Sequence, residues 1–202
     1  MEWYEPEVRA LEQRRAGYPT PPGAVLFYGS SSIRLWDTLA EDFAAIQPIN
    51  LGFGGSTLEA CAWFLQRLVV PYAPRTLVVY AGDNDLGDGK PPEQVLGYFR
   101  ALVTQLDQSL PNTMLAFLSI KPSPARQYLI DQIRLTNRLI RRELDERPHS
   151  YYIDLFQPMM NGDGRPLPNL YAEDGLHLSA EGYQMWREII ALYAPTLFAE
   201  GQ

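Results

Sequence analysis

Short apolar runs alternate with amphipathic ones along almost the whole chain, and that alternation restricts the fold more than any other feature. The apolar runs fall at 24–29 (AVLFYG), 47–52 (QPINLG), 76–80 (TLVVY), 114–120 (MLAFLSI) and 151–156 (YYIDLF). Each has the length of a buried strand, and most are rich in β-branched or aromatic residues, although Pro48 lies inside the second. Helical periodicity is expected at 37–43, 58–70, 92–108, 126–146 and 180–193. The segment 126–146 shows the pattern. Leu129, Ile133, Ile140 and Leu144 recur at helical spacing, while Arg134, Arg138, Arg141 and Asp145 fall on the opposite face. Arg141 and Asp145 are four apart and positioned to pair, and Pro148 stops the helix. Strands that alternate with helices make a parallel sheet covered on both faces.

At 202 residues the chain reads as one α/β domain over 23–202, preceded by a helical extension at 1–22 that ends in the proline-rich "YPTPPG". There is no internal repeat or low-complexity tract. A net charge of −7 argues against nucleic acid and against an anionic membrane surface as partner. No apolar run approaches the roughly 20 residues of a membrane span. The single cysteine, Cys61, cannot form an intramolecular disulfide. The N-terminal stretch lacks the apolar segment of a signal peptide, so the cytoplasm is the expected compartment. The sequence carries no signal for oligomeric state.

In an open α/β sheet the working residues gather beyond the carboxyl ends of the strands. After the first strand come Gly29-Ser30-Ser31-Ser32; after the second, "NLGFGGST"; after the third, "AGDNDLGDG", which holds Asn84. The fourth leads into "KPSPAR", and beyond the fifth lies "EDGLHLSAEGY". Of the two histidines, His149 precedes the fifth strand at the opposite edge of the sheet, whereas His177 shares the serines' edge. Asp174, three residues before His177, can hold the imidazole in one tautomer and stabilise its cation. An acyl-transfer site also needs donors for a developing oxyanion. Gly55 N–H, the Asn84 amide and the nucleophile's own N–H are the candidates.

"FYGSSS", "NLGFGG", "GDND" and "DGLH" together resemble the SGNH (GDSL-type) hydrolases, over about residues 24–194. The resemblance implies a flavodoxin-like three-layer α/β/α sandwich with a parallel sheet of about five strands. It implies Ser31 as nucleophile, Gly55 and Asn84 as oxyanion donors, His177 as base and Asp174 as its orienter. It further implies hydrolysis of small-molecule esters or thioesters, without metal or cofactor. Some members of that family remove acetyl groups from carbohydrates. The family's Gly-Asp-Ser-Leu is Gly29-Ser30-Ser31-Ser32 here, with Ser30 in place of the aspartate.

Plainer readings stand beside this one. Ser31 could cap a helix, Asn84 could support a turn, and Gly55 could admit the chain to a helix. A carbohydrate O-deacetylase or acyltransferase would use the same five residues. A non-enzymatic flavodoxin-like module could hold a phosphate at the "GSSS" turn. Other motifs fail. Thr57 breaks a dinucleotide fingerprint, Gly87 and Gln94 stand where a calcium loop needs ligands, and Ile33 replaces the closing glycine of an α/β-hydrolase elbow. Lys121 and Arg126 flank the crevice, where they could meet an anionic substrate, but are expected to be solvated charges, and Trp36 and Trp63 to be core or pocket wall.

Overall fold

A computed structural model describes residues 1–17 and 23–199. Five parallel strands form one sheet: β1 (Val25–Gly29), β2 (Ile49–Gly52), β3 (Thr76–Tyr80), β4 (Met114–Leu118) and β5 (Ser150–Ile153). Their order is β2-β1-β3-β4-β5, the flavodoxin-like order, in which the chain reverses direction across the sheet between β1 and β3. The three central strands are buried on both faces, which is why they read as unbroken apolar runs.

The helices divide between two layers. Alternate strand residues Leu26, Tyr28, Leu77, Val79, Leu115 and Phe117 share a core with α4 (Leu58–Leu68), α6 (Pro92–Ser109) and α7 (Ile130–Asp145). The intervening Val25, Phe27, Val78, Tyr80, Ala116 and Leu118 face the second core, with Trp36, Trp186, Ile190 and Leu197. That layer is built from α2 (Ser31–Arg34), α3 (Leu39–Asp42), α8 (Ala180–Ala191) and α9 (Ala194–Leu197). The fold is therefore the expected three-layer α/β/α sandwich. A one-turn helix, α5 (Asp83–Gly87), follows β3.

Before β1, a 3₁₀ turn at Glu2–Tyr4 leads into α1 (Glu5–Gly17). This helix is anchored on α4, where Arg67 bonds both Glu5 and Glu12. Val8 is its buried contact, and Tyr4 sets its ring edge against Phe53 and Phe64. Most of the proline-rich lead-in, at 18–22, lies outside the described residues.

Several local expectations need correction. β4 ends at Leu118 because Ile120 turns away and gives both backbone groups to the Asn137 amide, at 2.8 Å each. The helix expected at 37–43 is a single turn, α3. Arg126–Leu129 belong to a 3₁₀ segment, and α7 begins only at Ile130. The apolar stripe of α7 is buried as expected, but Arg141 lies over the Tyr152 ring instead of pairing with Asp145. Trp36 is core, whereas Trp63 is exposed. Among the described residues no helix is long and apolar enough to cross a membrane.

Candidate active site

The first polar stretch begins where β1 ends. Gly29 has φ +137°, and a Cβ there would sit 1.9 Å from the Tyr80 carbonyl oxygen, so only glycine lets the chain turn this close to β3. Ser30 then occupies the N-cap position of α2 and Ser31 its first turn, yet no serine side chain caps the helix. Ser30 and Ser32 are buried, at 2% and 3% exposure. Ser31 alone of the three directs its hydroxyl at an imidazole: His177 Nε2 lies 3.1 Å from its Oγ.

The imidazole is held from behind. His177 Nδ1 is 2.6 Å from Asp174 Oδ2, so the proton belongs on Nδ1 and the Nε2 lone pair faces the serine. The other Asp174 oxygen accepts from the backbone N–H groups of Leu176 and His177, each at 2.9 Å. The Leu176 N–H and the His177 ring hold the Asp174 carboxyl down to about 2. Gly175, with φ +63°, makes the tight turn that folds Asp174 back over the residues it bonds. The loop carrying them is closed by a bridge between Tyr171 and Leu178. His149 is elsewhere, at the amino end of β5, where its carbonyl accepts from Leu115.

Gly55 and Asn84 follow β2 and β3, so Ser31, Gly55 and Asn84 come from three adjacent strand ends at the point where strand order reverses. Gly55 has φ +67°. Neither its N–H nor that of Ser31 has an acceptor among the described residues. Asn84 Nδ2 donates to the Ser56 carbonyl at 3.1 Å, and Arg126 donates to Asn84 Oδ1 at 3.0 Å. A guanidinium can only donate, so Arg126 fixes which end of the amide is oxygen and leaves the second Nδ2 proton available.

Lys121 and Arg126, expected in solvent, are instead drawn inward by Asp83. Lys121 is 1% exposed, lies over the Tyr80 ring and donates to Asp83 Oδ2 at 3.2 Å. Arg126 Nη1 approaches the other carboxylate oxygen at 2.7 Å, too obliquely for a hydrogen bond. Burial pushes the Asp83 carboxyl up, but the two cations outweigh it and hold it below its ordinary value. Asp85 turns the other way and caps α4, accepting from Leu58 N–H at 2.7 Å. Burial raises its carboxyl to about 6 against those backbone bonds. The stretch Asp83-Asn84-Asp85 thus divides its labour: a charge anchor, an amide donor and a helix cap. Only Asn84 stood out in the sequence. The polar spacing around it could have flagged its neighbours, had Lys121 and Arg126 been known to lie close. Among the described residues no group of three or more His, Cys, Asp or Glu side chains is arranged to hold a metal ion.

Residues 16–185 match the model of the GDSL-like Lipase/Acylhydrolase family. Among solved structures, a proposed platelet activating factor from Streptococcus pneumonia superposes with a TM-score of 0.82 at 21% identity, covering 95% of this chain and 94% of its own. A proposed acylhydrolase from Bacteroides fragilis gives 0.82 at 20% identity, covering 93% and 95%. A GDSL-like lipase from Bacteroides thetaiotaomicron gives 0.78 at 20% identity, covering 93% and 97%. Among curated proteins, none matches the chain.

Proposed function

The chain belongs to the GDSL-like lipase/acylhydrolase family and is an ester-hydrolysing enzyme; from that premise we propose that it cleaves small-molecule carboxylic esters through an acyl-enzyme on Ser31. His177 Nε2 takes the Ser31 hydroxyl proton as Oγ attacks the ester carbonyl. Asp174 stabilises the imidazolium and keeps its Nε2 aimed at the serine. The tetrahedral oxyanion is met by the N–H groups of Ser31 and Gly55 and by Asn84 Nδ2, each worth roughly 3–4 kcal/mol by analogy with other hydrolases. Collapse expels the alkoxide, which leaves as alcohol with the proton from His177. Water then gives a proton to His177 and attacks the acyl carbon, and the acid departs as Ser31 is reprotonated.

The observation that supports this reading is the continuous chain from Ser31 Oγ through both imidazole nitrogens to the Asp174 carboxylate. It joins side chains 146 residues apart, and it engages the one serine of the three that is not buried. A phosphate cradle at the "GSSS" turn would have no use for it, and α2 is only four residues long. Hydrolysis of a short aryl ester tests the proposal. Ser31→Ala is expected to abolish turnover while the fold persists, and substantial activity in the folded variant would contradict it.

A further inference from the structure

The Gly55 N–H sits in a glycine pair, Gly54-Gly55, on a loop that has no strand partner. A peptide unit between two glycines reorients at little cost, and a half-turn would exchange an oxyanion donor for a repelling carbonyl. Something must hold it.

Three successive peptide units decide the matter. The unit before the critical one carries the Gly54 N–H, which donates to Glu7 Oε2 at 2.9 Å. The unit after it carries the Gly55 carbonyl, which accepts from the Tyr4 hydroxyl at 3.2 Å. Between them the Gly54–Gly55 unit keeps its N–H free among the described residues. Both restraints come from the N-terminal segment and are themselves fixed. Arg34, in the last turn of α2, lies 3.6 Å from Glu7 Oε2. The Tyr4 ring is set against Phe53 and Phe64. Arg67 ties α1 to α4 through Glu5 and Glu12.

We propose that Tyr4 and Glu7 are positioning residues for the reaction: they clamp the peptide units on either side of Gly54–Gly55 so that the Gly55 N–H faces the developing oxyanion. This rests on the esterase reading above. Arg34 lies three residues after Ser31, so the same clamp links the nucleophile's turn to the donor loop. The N-terminal helix thereby contributes to turnover without touching substrate.

Steady-state kinetics on a short aryl ester test this, with Tyr4→Phe, Glu7→Ala, their double variant and Glu7→Gln compared with wild type and Ser31→Ala. Tyr4→Phe keeps the ring and its packing and removes only the hydroxyl. Glu7→Gln keeps an acceptor for Gly54. The double variant is expected to lose about tenfold or more in kcat, below the full loss of one oxyanion donor. KM should stay within about twofold, and the pH at which the rate falls to half should not move. Glu7→Gln should recover most of what Glu7→Ala loses, which general destabilisation would not produce. If Glu7→Ala does not fold, Tyr4→Phe alone decides, with several-fold loss of kcat expected. Ser31-dependent hydrolysis in wild type with unchanged kcat in the double variant, or in Tyr4→Phe where only that folds, overturns the clamp alone. A wild type without Ser31-dependent hydrolysis overturns the esterase reading and the clamp with it.

Discussion

Replacing Lys121 with methionine removes one charge from the buried cluster beneath the candidate site and keeps the apolar stem. The structure sets the size of the effect. Lys121 is 1% exposed and Asp83 5%, so the carboxylate cannot recover the lost partner from water. Breaking a buried pair by deleting one member costs about 3–5 kcal/mol. Arg126 remains beside Asp83, which places the loss near the lower bound, about 3 kcal/mol. In a domain of this length each kcal/mol moves the melting midpoint by about 2–4 °C, so a fall of roughly 6–12 °C follows. Urea titration monitored by tryptophan fluorescence gives the free energy directly. Adding Asp83→Asn to Lys121→Met should restore part of the loss, because the neutral amide leaves no buried carboxylate short of a counter-charge. A loss below about 1 kcal/mol, or a double variant less stable than Lys121→Met by the full cost of a second deletion, would refute the view that these charges stabilise one another.

Two further outcomes follow from the carboxylates. Asp85 has its carboxyl raised to about 6 by burial, so its proton is held more tightly folded than unfolded. Its stabilising share is therefore complete below the unfolded value near 4 and is lost as pH rises through about 6, by about 3 kcal/mol in all. Relative to Asp85→Asn, the wild type should become less stable between pH 4 and 7 in urea titrations. The opposite trend would mean that the positive end of α4 outweighs burial. Asp174, held down to about 2, has the reverse sign: its contribution is present above the unfolded value near 4 and disappears as pH falls toward 2. Asp174→Asn should lower kcat strongly but less than His177→Ala does. Equal rates in wild type and Asp174→Asn would remove its orienting role.

The centre of the sheet was legible because its three central strands are buried on both faces. In such a strand no polar alternation interrupts the run, and the runs of β1, β3 and β4 could be read directly. The strand ends read least well were the start of β2 and the ends of β4 and β5; β5 stops at Ile153 and not at 156, and Leu155 and Phe156 give their N–H groups to the Ser119 hydroxyl. Asn137, 17 residues away, captures the backbone of Ile120, and Pro48 delays β2 to Ile49. The serine, glycine, asparagine and histidine stretches stood out because each follows a strand that itself was legible. What stayed hidden were partnerships between distant positions. Lys121 and Arg126 look like surface charges until Asp83, about 40 residues earlier, is placed beside them. Tyr4 and Glu7 look like any residues of a polar helix until the glycine loop, some 50 positions on, is folded against them. Trp63 shows the converse: an aromatic residue on an amphipathic helix is a fair expectation for the core, and here it points to solvent.

In the proposed reaction Ser31 carries the acyl group and His177 makes it nucleophilic. Reaction of the folded protein with a fluorophosphonate, followed by peptide mapping, tests both parts at once. A single stoichiometric adduct on Ser31 is expected, lost in Ser31→Ala and strongly slowed in His177→Ala. An adduct on Ser30 or Ser32, or none on a folded protein, would contradict it.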